Sequence, residues 1–233
     1  MEWSTSGTRQ NEQNNDIANA DAKEHVAKEM AIRLRDADVV GVGSGSTSLL
    51  TLYALVDLAA ERGLRFTAIT TSLEMEITCH QLNVETSSLL QRRPDWSFDG
   101  ADEIDGALNM IKGRGGAMLR ERLVMSSSPE RYVVVDRSKI VARLGENASV
   151  PLEIVPESLN LVRSLLLDTY AIERLELRPA VPKDGPVITE KGNLILDVKF
   201  ADVQPALDST LRSIPGVVAT GLFIGFNPKV ISA

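Results

Sequence analysis

The stretch "DVVGVGSGSTSLLTLYALVDLAAERG", residues 38–63, predicts a β-strand, a glycine-rich turn and an α-helix, in that order. The run at 38–42 is short and rich in valine, which favours a buried strand. The apolar segment after the turn has the length of a helix, and Gly63 is placed to end it as a C-cap. A strand that leads through glycines into a helix is typical of an open α/β sheet.

Strands and helices continue to alternate on both sides of this stretch. A helix is predicted before it, at 22–34, where Val26, Met30 and Leu34 have helical spacing. The predicted strands after it are "RFTAIT" (65–70), a short one near Val84, "DWSF" (95–98) and "YVVVD" (132–136), and the predicted helices are "SLEMEITCHQL" (72–82) and "AMLRERLVMSS" (117–127). This alternation predicts an α/β fold with a mostly parallel sheet and helices on both faces.

The pattern changes near residue 148 and predicts a second, smaller α+β domain at 148–216. Its predicted elements are a helix near 157–169, three strand-like runs, "AIERLELRP" (171–179), "PVITEKG" (186–192) and "NLILDVKF" (193–200), and a helix at 203–213. The tail "GVVATGLFIG" (216–225) is predicted to be a strand that returns to the first sheet. The first domain would therefore comprise residues 21–147 and 217–233, after a polar, flexible leader at 1–20.

Composition excludes several classes of function. A net charge of −7 leaves no basic stripe for a nucleic acid, and no run approaches the ~20 apolar residues of a membrane span. The leader lacks the features of a secretory signal. The single cysteine, Cys79, excludes an intramolecular disulfide and is typical of a reducing compartment, so we expect a cytoplasmic protein. We interpret Cys79 as a small core residue in a helix.

The turn "GVGSGSTS" (41–48) fits neither the dinucleotide-binding pattern nor the P-loop pattern. Two interpretations remain open. Its backbone N–H groups and the hydroxyls of Ser44, Ser46 and Thr47 suit one phosphate group at a helix N-terminus. Alternatively, it is a plain turn in which Ser46 is the N-cap.

Four carboxylates crowd into "WSFDGADEIDG" (96–106), although like charges repel. The spacing does not fit a calcium loop, and a magnesium site is conceivable. Glu103 and Asp105 are expected in a solvated turn. Asp99 follows a predicted strand and faces the ligand crevice, so Asp99 and Asp102 could converge on sugar hydroxyls.

The segment "IKGRGGAMLRER" (111–122) joins a lysine, a glycine-rich turn and a helix. Lys112 could stabilise a developing oxyanion, and Glu121 could be a general base if it is buried. Spacing alone favours the alternative for Glu121, a surface acid between two arginines. Lys139, in "VVVDRSK" (133–139), is either on the crevice side of a strand end or a surface lysine.

Taken in order, these segments resemble the ribose-5-phosphate isomerase type A family, and the resemblance covers residues 22–226. It implies a Rossmann-like domain with a smaller α+β (ferredoxin-like) lid, assembled as a homodimer or homotetramer, without metal or cofactor. It also implies an aldose–ketose isomerase of the non-oxidative pentose phosphate pathway, which interconverts D-ribose 5-phosphate and D-ribulose 5-phosphate through an enediolate. A small sugar phosphate would be its partner, with neither nucleic acid nor membrane.

The same resemblance implies a role for individual residues. Glu121 would be the general base, assisted by Asp99 and Lys112. The substrate-binding residues would be Ser44, Gly45, Ser46, Thr47, Asp99, Gly100, Ala101, Asp102, Lys112, Gly113, Arg114, Gly115, Lys139 and, on a weaker match, Lys23.

This chain departs from the family pattern at three positions. Arg114 interrupts the usual glycine run and either contacts phosphate or points to solvent. Arg122 replaces a lysine and Ser44 replaces a threonine, which keeps the charge and the hydroxyl. Arg114 leaves open an isomerase for another sugar phosphate. A non-catalytic sugar-phosphate sensor is the other alternative, against which the retained Glu121 and Lys112 argue.

Overall fold

The computed structural model describes residues 20–232, which form six α-helices and thirteen β-strands. The helices are α1 (Ala20–Ala31), α2 (Ser46–Arg62), α3 (Leu73–Gln81), α4 (Met118–Ser127), α5 (Leu159–Thr169) and α6 (Ala206–Arg212). The strands are β1 (Asp38–Val42), β2 (Phe66–Thr70), β3 (Glu85–Thr86), β4 (Trp96–Asp99), β5 (Glu103–Ile104), β6 (Met110–Ile111), β7 (Glu130–Val135), β8 (Val150–Ile154), β9 (Ile172–Leu177), β10 (Leu194–Phe200), β11 (Val217–Thr220), β12 (Leu222–Phe223) and β13 (Lys229–Ser232). The predicted leader lies outside the described residues, apart from Ala20.

A six-stranded parallel sheet, in the order β13-β7-β4-β1-β2-β3, forms the larger layer of the molecule. Side chains alternate between its faces. Val40 and Val42 belong to the same apolar cluster as Leu52 of α2, whereas Val39 belongs to a cluster with Val124 of α4. Helices therefore cover both faces, which confirms the predicted α/β fold and explains why the strands read as continuous apolar runs.

Two local predictions for this layer are confirmed. The helix α2 ends where Gly63 adopts a left-handed conformation, with φ of 66°, and its N–H donates to the carbonyl of Ala59. Cys79 is fully buried in the core, where desolvation raises the pKa of its thiol to about 12. No helix within residues 20–232 is long and apolar enough to cross a membrane.

A four-stranded antiparallel sheet, in the order β11-β8-β10-β9, forms the smaller layer. Its connectivity, β8-α5-β9-β10-α6-β11, is the β-α-β-β-α-β arrangement of ferredoxin-like folds. The buried side chains of Val162 and Leu166 in α5 and Leu211 in α6 belong to the apolar cluster of this sheet. The α+β character predicted for this part of the chain is confirmed.

Two strand predictions are wrong. Residues 186–192 form no strand beyond a bridge at Pro186, because the chain turns at Thr189, whose carbonyl accepts from the N–H of Gly192 and whose N–H donates to the carbonyl of Asn193, both at 2.9 Å. The strand β11 was expected in the parallel sheet, but it pairs with β8 and completes the antiparallel sheet. Of the strands after residue 216, only β13 joins the parallel sheet, where it pairs with β7.

A small third sheet, β12-β6-β5, connects the two layers. Glu103 lies in β5, and the prediction that it lies in a solvated turn is wrong. Glu103 is 1% exposed rather than solvated. Its carboxylate accepts hydrogen bonds from the N–H groups of Gly145 at 2.6 Å, Asn147 at 2.5 Å and Ala148 at 2.7 Å. A buried carboxylate needs such donors to offset desolvation, so Glu103 fixes the loop that leads into the second sheet.

Candidate active site

A cavity of about 400 Å³ opens at the carboxyl ends of β1, β4 and β7. Ligands bind at this edge in open α/β sheets, because the loops that leave neighbouring strands meet there. The cavity is lined by Lys23, Ser44, Gly45, Ser46, Thr47, Gly100, Ala101, Asp102, Lys112, Gly113, Arg114, Gly115, Glu121, Val134, Val135, Asp136 and Lys139.

Three buried ionisable side chains form the inner wall of the site: Lys112 and Glu121 line the cavity, and Asp99 contacts Lys112 from behind. The Nζ of Lys112 lies 3.1 Å from Oδ2 of Asp99 and 3.5 Å from Oε1 of Glu121. The side chains of Lys112, Asp99 and Glu121 are 3%, 5% and 8% exposed, respectively. The Oε2 atom of Glu121 is buried and has no hydrogen-bond partner among the described residues. One ammonium thus faces two carboxyl groups, one of which keeps a free oxygen.

Short elements hold these three groups in place. Asp99 ends β4, and its Oδ1 accepts hydrogen bonds from the N–H groups of Gly100 at 2.8 Å and Ser44 at 3.2 Å. Lys112 follows β6, and its backbone N–H donates to the carbonyl of Gly221 at 2.8 Å. Its ammonium also donates to the carbonyl of Gly100. Glu121 lies in the first turn of α4.

Two glycines permit this close approach of backbone to side chains. A Cβ atom at Gly43 would lie 2.3 Å from Oδ1 of Asp99, and one at Gly221 would lie 2.3 Å from the carbonyl oxygen of Lys112. Both separations are shorter than van der Waals contact. Any other residue at these positions would displace the groups that form the inner wall.

Burial dominates the electrostatics of the inner wall. Desolvation raises the pKa of Glu121 to about 8, and the positive charge of Lys112 opposes the shift only in part. Desolvation also raises the pKa of Asp99, against the charge of Lys112 and hydrogen bonds from the backbone. For Lys112 burial works against the charge, but the two carboxyl groups outweigh it and raise the pKa. A carboxyl group that exchanges its proton near neutral pH is suited to general acid–base catalysis.

The outer rim of the cavity is cationic. The Nζ of Lys23 donates to Oγ of Ser46 at 3.2 Å. Burial lowers the pKa of Lys23, the charges of Lys139 and Arg114 lower it further, and Asp136 opposes them. Three basic side chains from separate segments, Lys23, Arg114 and Lys139, therefore lie close enough for their charges to interact. This arrangement is typical of a site for an anionic group.

The glycine-rich turn adds backbone donors to this rim. Gly45 stands at the N-cap position of α2 with φ of 85°, so the prediction of Ser46 as N-cap is wrong. Ser46 is instead the first helical residue. Leu49 donates to the carbonyl of Gly45, and the N–H groups of Gly43 and Ser44 are bonded to Phe98 and Asp99, whereas those of Gly45, Ser46 and Thr47 have no acceptor within residues 20–232. Such N–H groups and the positive end of the helix dipole favour a bound phosphate.

The sequence of most of the chain matches a known enzyme family. Residues 67–233 match the family described as ribose 5-phosphate isomerase A (phosphoriboisomerase A). A ribose-5-phosphate isomerase A of Synechococcus sp. is 40% identical over 217 residues, which cover 90% of this chain and 91% of that protein. This chain belongs to the ribose 5-phosphate isomerase A family.

Solved structures of the ribose 5-phosphate isomerase family share the fold. The enzyme from Methanocaldococcus jannaschii has a TM-score of 0.87 and 35% identity, covering 92% of this chain and 95% of that chain. A D-ribose-5-phosphate isomerase solved in complex with phospho-erythronic acid has a TM-score of 0.86 and 31% identity, covering 93% of this chain and 96% of that chain.

The structure brings together the residues that the family resemblance selected. All of them line the cavity except Asp99, which lies directly behind it and bonds the lining loop at Ser44. The surface interpretation of Glu121, which spacing alone favoured, is wrong. The flanking arginines instead reach other partners, Arg120 to Glu190 at 2.6 Å and Arg122 to Asp208 at 3.0 Å.

Two features of the site differ from what the sequence pattern suggested. Sequence reasoning missed Asp136, which lines the cavity and is 4% exposed; its position at the end of an apolar strand was the available signal. Two of the three departures from the ribose 5-phosphate isomerase pattern line the cavity. Arg114 is exposed there, and Ser44 is half-buried. Arg122 points away, over the ring of Phe223 at 4.7 Å.

Proposed function

We propose that this chain interconverts D-ribose 5-phosphate and D-ribulose 5-phosphate through an enediolate, with Glu121 as the general base. The observation that carries the proposal is the free, buried Oε2 of Glu121 beside the ammonium of Lys112. Moving a proton between C1 and C2 requires one group that removes it and returns it. A carboxylate with a raised pKa does both, because its protonated form is also a competent acid.

Lys112 and Asp99 act on the oxygens of the sugar. The enediolate develops negative charge on oxygen, and the fixed ammonium of Lys112 stabilises that charge without solvent reorganisation. Asp99, 3.1 Å from the same ammonium, assists ring opening and the transfer of the hydroxyl proton. Asp102 and the backbone of Gly100 and Ala101 bind the hydroxyl groups of the substrate.

The cationic rim holds the phosphate. Ser44, Gly45, Ser46 and Thr47 supply hydroxyl and N–H donors, and Lys139, with Lys23, supplies positive charge. Binding at this non-reacting end positions C1 and C2 against Glu121. The solved relative that holds phospho-erythronic acid supports this division, since that ligand carries a phosphate and an acid group on one short chain.

The experiment is a kinetic assay of ribose 5-phosphate isomerisation by wild type and by Glu121→Gln. The amide keeps the shape of the side chain but cannot accept the proton, so kcat should fall about 10²–10⁴-fold while substrate binding, measured by calorimetry, persists. Glu74→Gln is the matched control, because Glu74 is exposed on α3 and does not line the cavity. A Glu121→Gln enzyme within a few-fold of the wild-type kcat would remove Glu121 from the proposed role.

We also propose a cytoplasmic homodimer or homotetramer. The family resemblance supports the assembly, and the single buried Cys79 supports a reducing compartment. Light scattering of the purified chain should give a mass of two or four protomers; a monomer at assay concentration contradicts the assembly.

A further inference from the structure

A salt bridge in the antiparallel sheet contacts the glycine-rich turn at 113–116, which follows Lys112. Arg178 directly follows β9, and Asp197 lies in the neighbouring strand β10. Two parallel contacts join them, Nε to Oδ2 at 2.7 Å and Nη2 to Oδ1 at 2.5 Å. The side chains are 15% and 23% exposed. A bidentate pair of this kind fixes the plane of the guanidinium, so its remaining nitrogen has a defined direction.

That remaining nitrogen holds the turn that follows Lys112. The Nη1 of Arg178 donates to the carbonyls of Gly113 at 3.0 Å and Arg114 at 2.9 Å. On the other side of the same turn, the N–H of Arg114 donates to Oδ2 of Asp102 at 3.0 Å. The peptide between Gly113 and Arg114 is thus held at both ends, with its carbonyl toward the antiparallel sheet.

The next peptide has only one such anchor. Its carbonyl, that of Arg114, is held by Arg178, and in a planar trans peptide the N–H points opposite to the carbonyl. This N–H belongs to Gly115, which lines the cavity and has no backbone acceptor within residues 20–232. Arg178 therefore turns a backbone donor away from the antiparallel sheet, toward the side on which the cavity lies.

We propose that Arg178 is a positioning residue for the isomerisation, which aims the N–H of Gly115 and the adjoining Lys112 at the reacting oxygens. The proposal rests on the proposed function. Arg178 is not among the residues that line the cavity, and it acts through the two carbonyls that it holds. Of the phosphate rim, the turn at 44–47, Lys23 and Lys139 lie on other segments, and only the side chain of Arg114 belongs to the turn that Arg178 holds. The device therefore acts mainly on the reacting end of the substrate.

The test compares Arg178→Gln with wild type and with Arg174→Gln. Arg174 lies on the same β9, is 59% exposed, and has an ion pair of 3.8 Å with Glu176, so it controls for loss of charge on this strand. Arg178→Gln should lower kcat at least about tenfold while KM changes less than threefold, because a misaimed donor weakens binding of the transition state more than of the ground state. Arg174→Gln should match wild type.

Inhibition separates positioning from general loosening of the structure. Arg178→Gln should bind phospho-erythronic acid at least about tenfold more weakly, whereas inorganic phosphate binding should weaken less than about threefold. Arg178→Lys, which keeps a charge for Asp197 but loses the fork, should be intermediate in kcat. If Arg178→Gln does not fold, Arg178→Lys decides the question: a kcat within twofold of wild type overturns the proposal. A uniform loss of both ligands overturns it too, whereas an inactive wild type would overturn the proposed function instead.

Discussion

Glu121 combines burial with an unbonded oxygen, a costly arrangement for any carboxyl group. A buried polar atom without a partner costs about 1–3 kcal/mol, and the Oε2 of Glu121 has none within the described chain. The ammonium of Lys112, 3.5 Å from the other oxygen, Oε1, attracts the charged form but does not restore an ordinary pKa. An ionised Glu121 therefore destabilises the fold relative to a neutral side chain, and the proposed role as general base depends on the same burial.

The raised pKa of Glu121 predicts the pH dependence of the reaction. Only the carboxylate removes a proton, so kcat/KM should rise with pH, about tenfold per unit below the pKa, and level off above about 8. Lys112 stays protonated across this window because its pKa is raised. Initial rates between pH 5.5 and 9.5 check this. A profile that is flat from pH 6 to 9 contradicts the assignment.

Stability gives a second measure of the same titration. Below pH ~4.5 the carboxyl of Glu121 is protonated in both states. As pH rises toward about 8 the unfolded chain loses that proton first, so the contribution of Glu121 to the free energy of unfolding declines. Glu121→Gln should therefore gain stability over wild type as pH rises from 5 to 9, measured by urea unfolding. Glu74→Gln should show no such trend.

At the scale of elements, two kinds of group contribute to the proposed phosphate site: those at the start of α2 and those beyond the end of a strand. The hydroxyls of the turn before α2 are neutral, whereas Lys139, beyond the end of β7, carries a full charge. A hydrogen bond to a charged group contributes about 1.5–3 kcal/mol and a neutral one about 0.5–1.5 kcal/mol. The two elements should therefore differ in what they add to phosphate binding.

Substitution in each element tests this difference. Lys139→Ala should raise KM about 10–100-fold and Ser46→Ala about 2–10-fold, with some loss of kcat in both because phosphate binding positions the reacting carbons. Lys183→Ala, at an exposed position outside the cavity, is the matched control. Wild type should turn over free ribose far more slowly than ribose 5-phosphate. Equal rates for the two sugars would contradict the phosphate site and mean that the turn at 41–48 only connects β1 to α2.

The elements also show what sequence can and cannot predict. Periodicity and glycine placement located the helices and five of the six parallel strands, because those signals are local, but they did not predict β13. The partner of β11 was mispredicted because pairing is decided by the antiparallel strand β8, which lies far away in sequence. Residues 186–192 alternate like a strand, yet the backbone N–H and carbonyl of Thr189 bond Asn193 and Gly192 in a local turn instead of joining a ladder.

The site shows the same limit in side-chain chemistry. Spacing placed Glu121 on the helix surface, since the two arginines beside it suggested a solvated face. Their partners, Glu190 and Asp208, come from the antiparallel half of the chain and are invisible to a local pattern. The family resemblance identified Glu121 because it carries long-range information that spacing lacks.

At the scale of the whole molecule, three of the four clustered acids bond separate segments of the chain, and the fourth, Asp105, bonds its own turn. Asp99 bonds the loop after β1, and Glu103 bonds the loop that leads to the antiparallel sheet. Asp102 bonds the glycine-rich turn, and Asp105 accepts the N–H of Asn109 at 2.9 Å within its own turn. The acids are close in sequence because the three sheets meet at this segment, and each has a different partner.

This separation predicts that the reaction needs no metal ion. Asp99 and Asp102 accept hydrogen bonds from different segments, the N–H groups of Ser44 and Arg114, instead of sharing one point. No group of three or more His, Cys, Asp or Glu side chains suited to a metal ion occurs within residues 20–232. Here the ammonium of Lys112 supplies the positive charge that a metal ion would otherwise provide. Prolonged EDTA treatment followed by desalting should leave kcat and KM unchanged, with a known magnesium-dependent enzyme as a positive control for chelation. Loss of activity that Mg²⁺ or Mn²⁺ restores would mean that Asp99 and Asp102 bind a metal ion. It would contradict the proposal that Lys112 alone supplies the positive charge beside the enediolate.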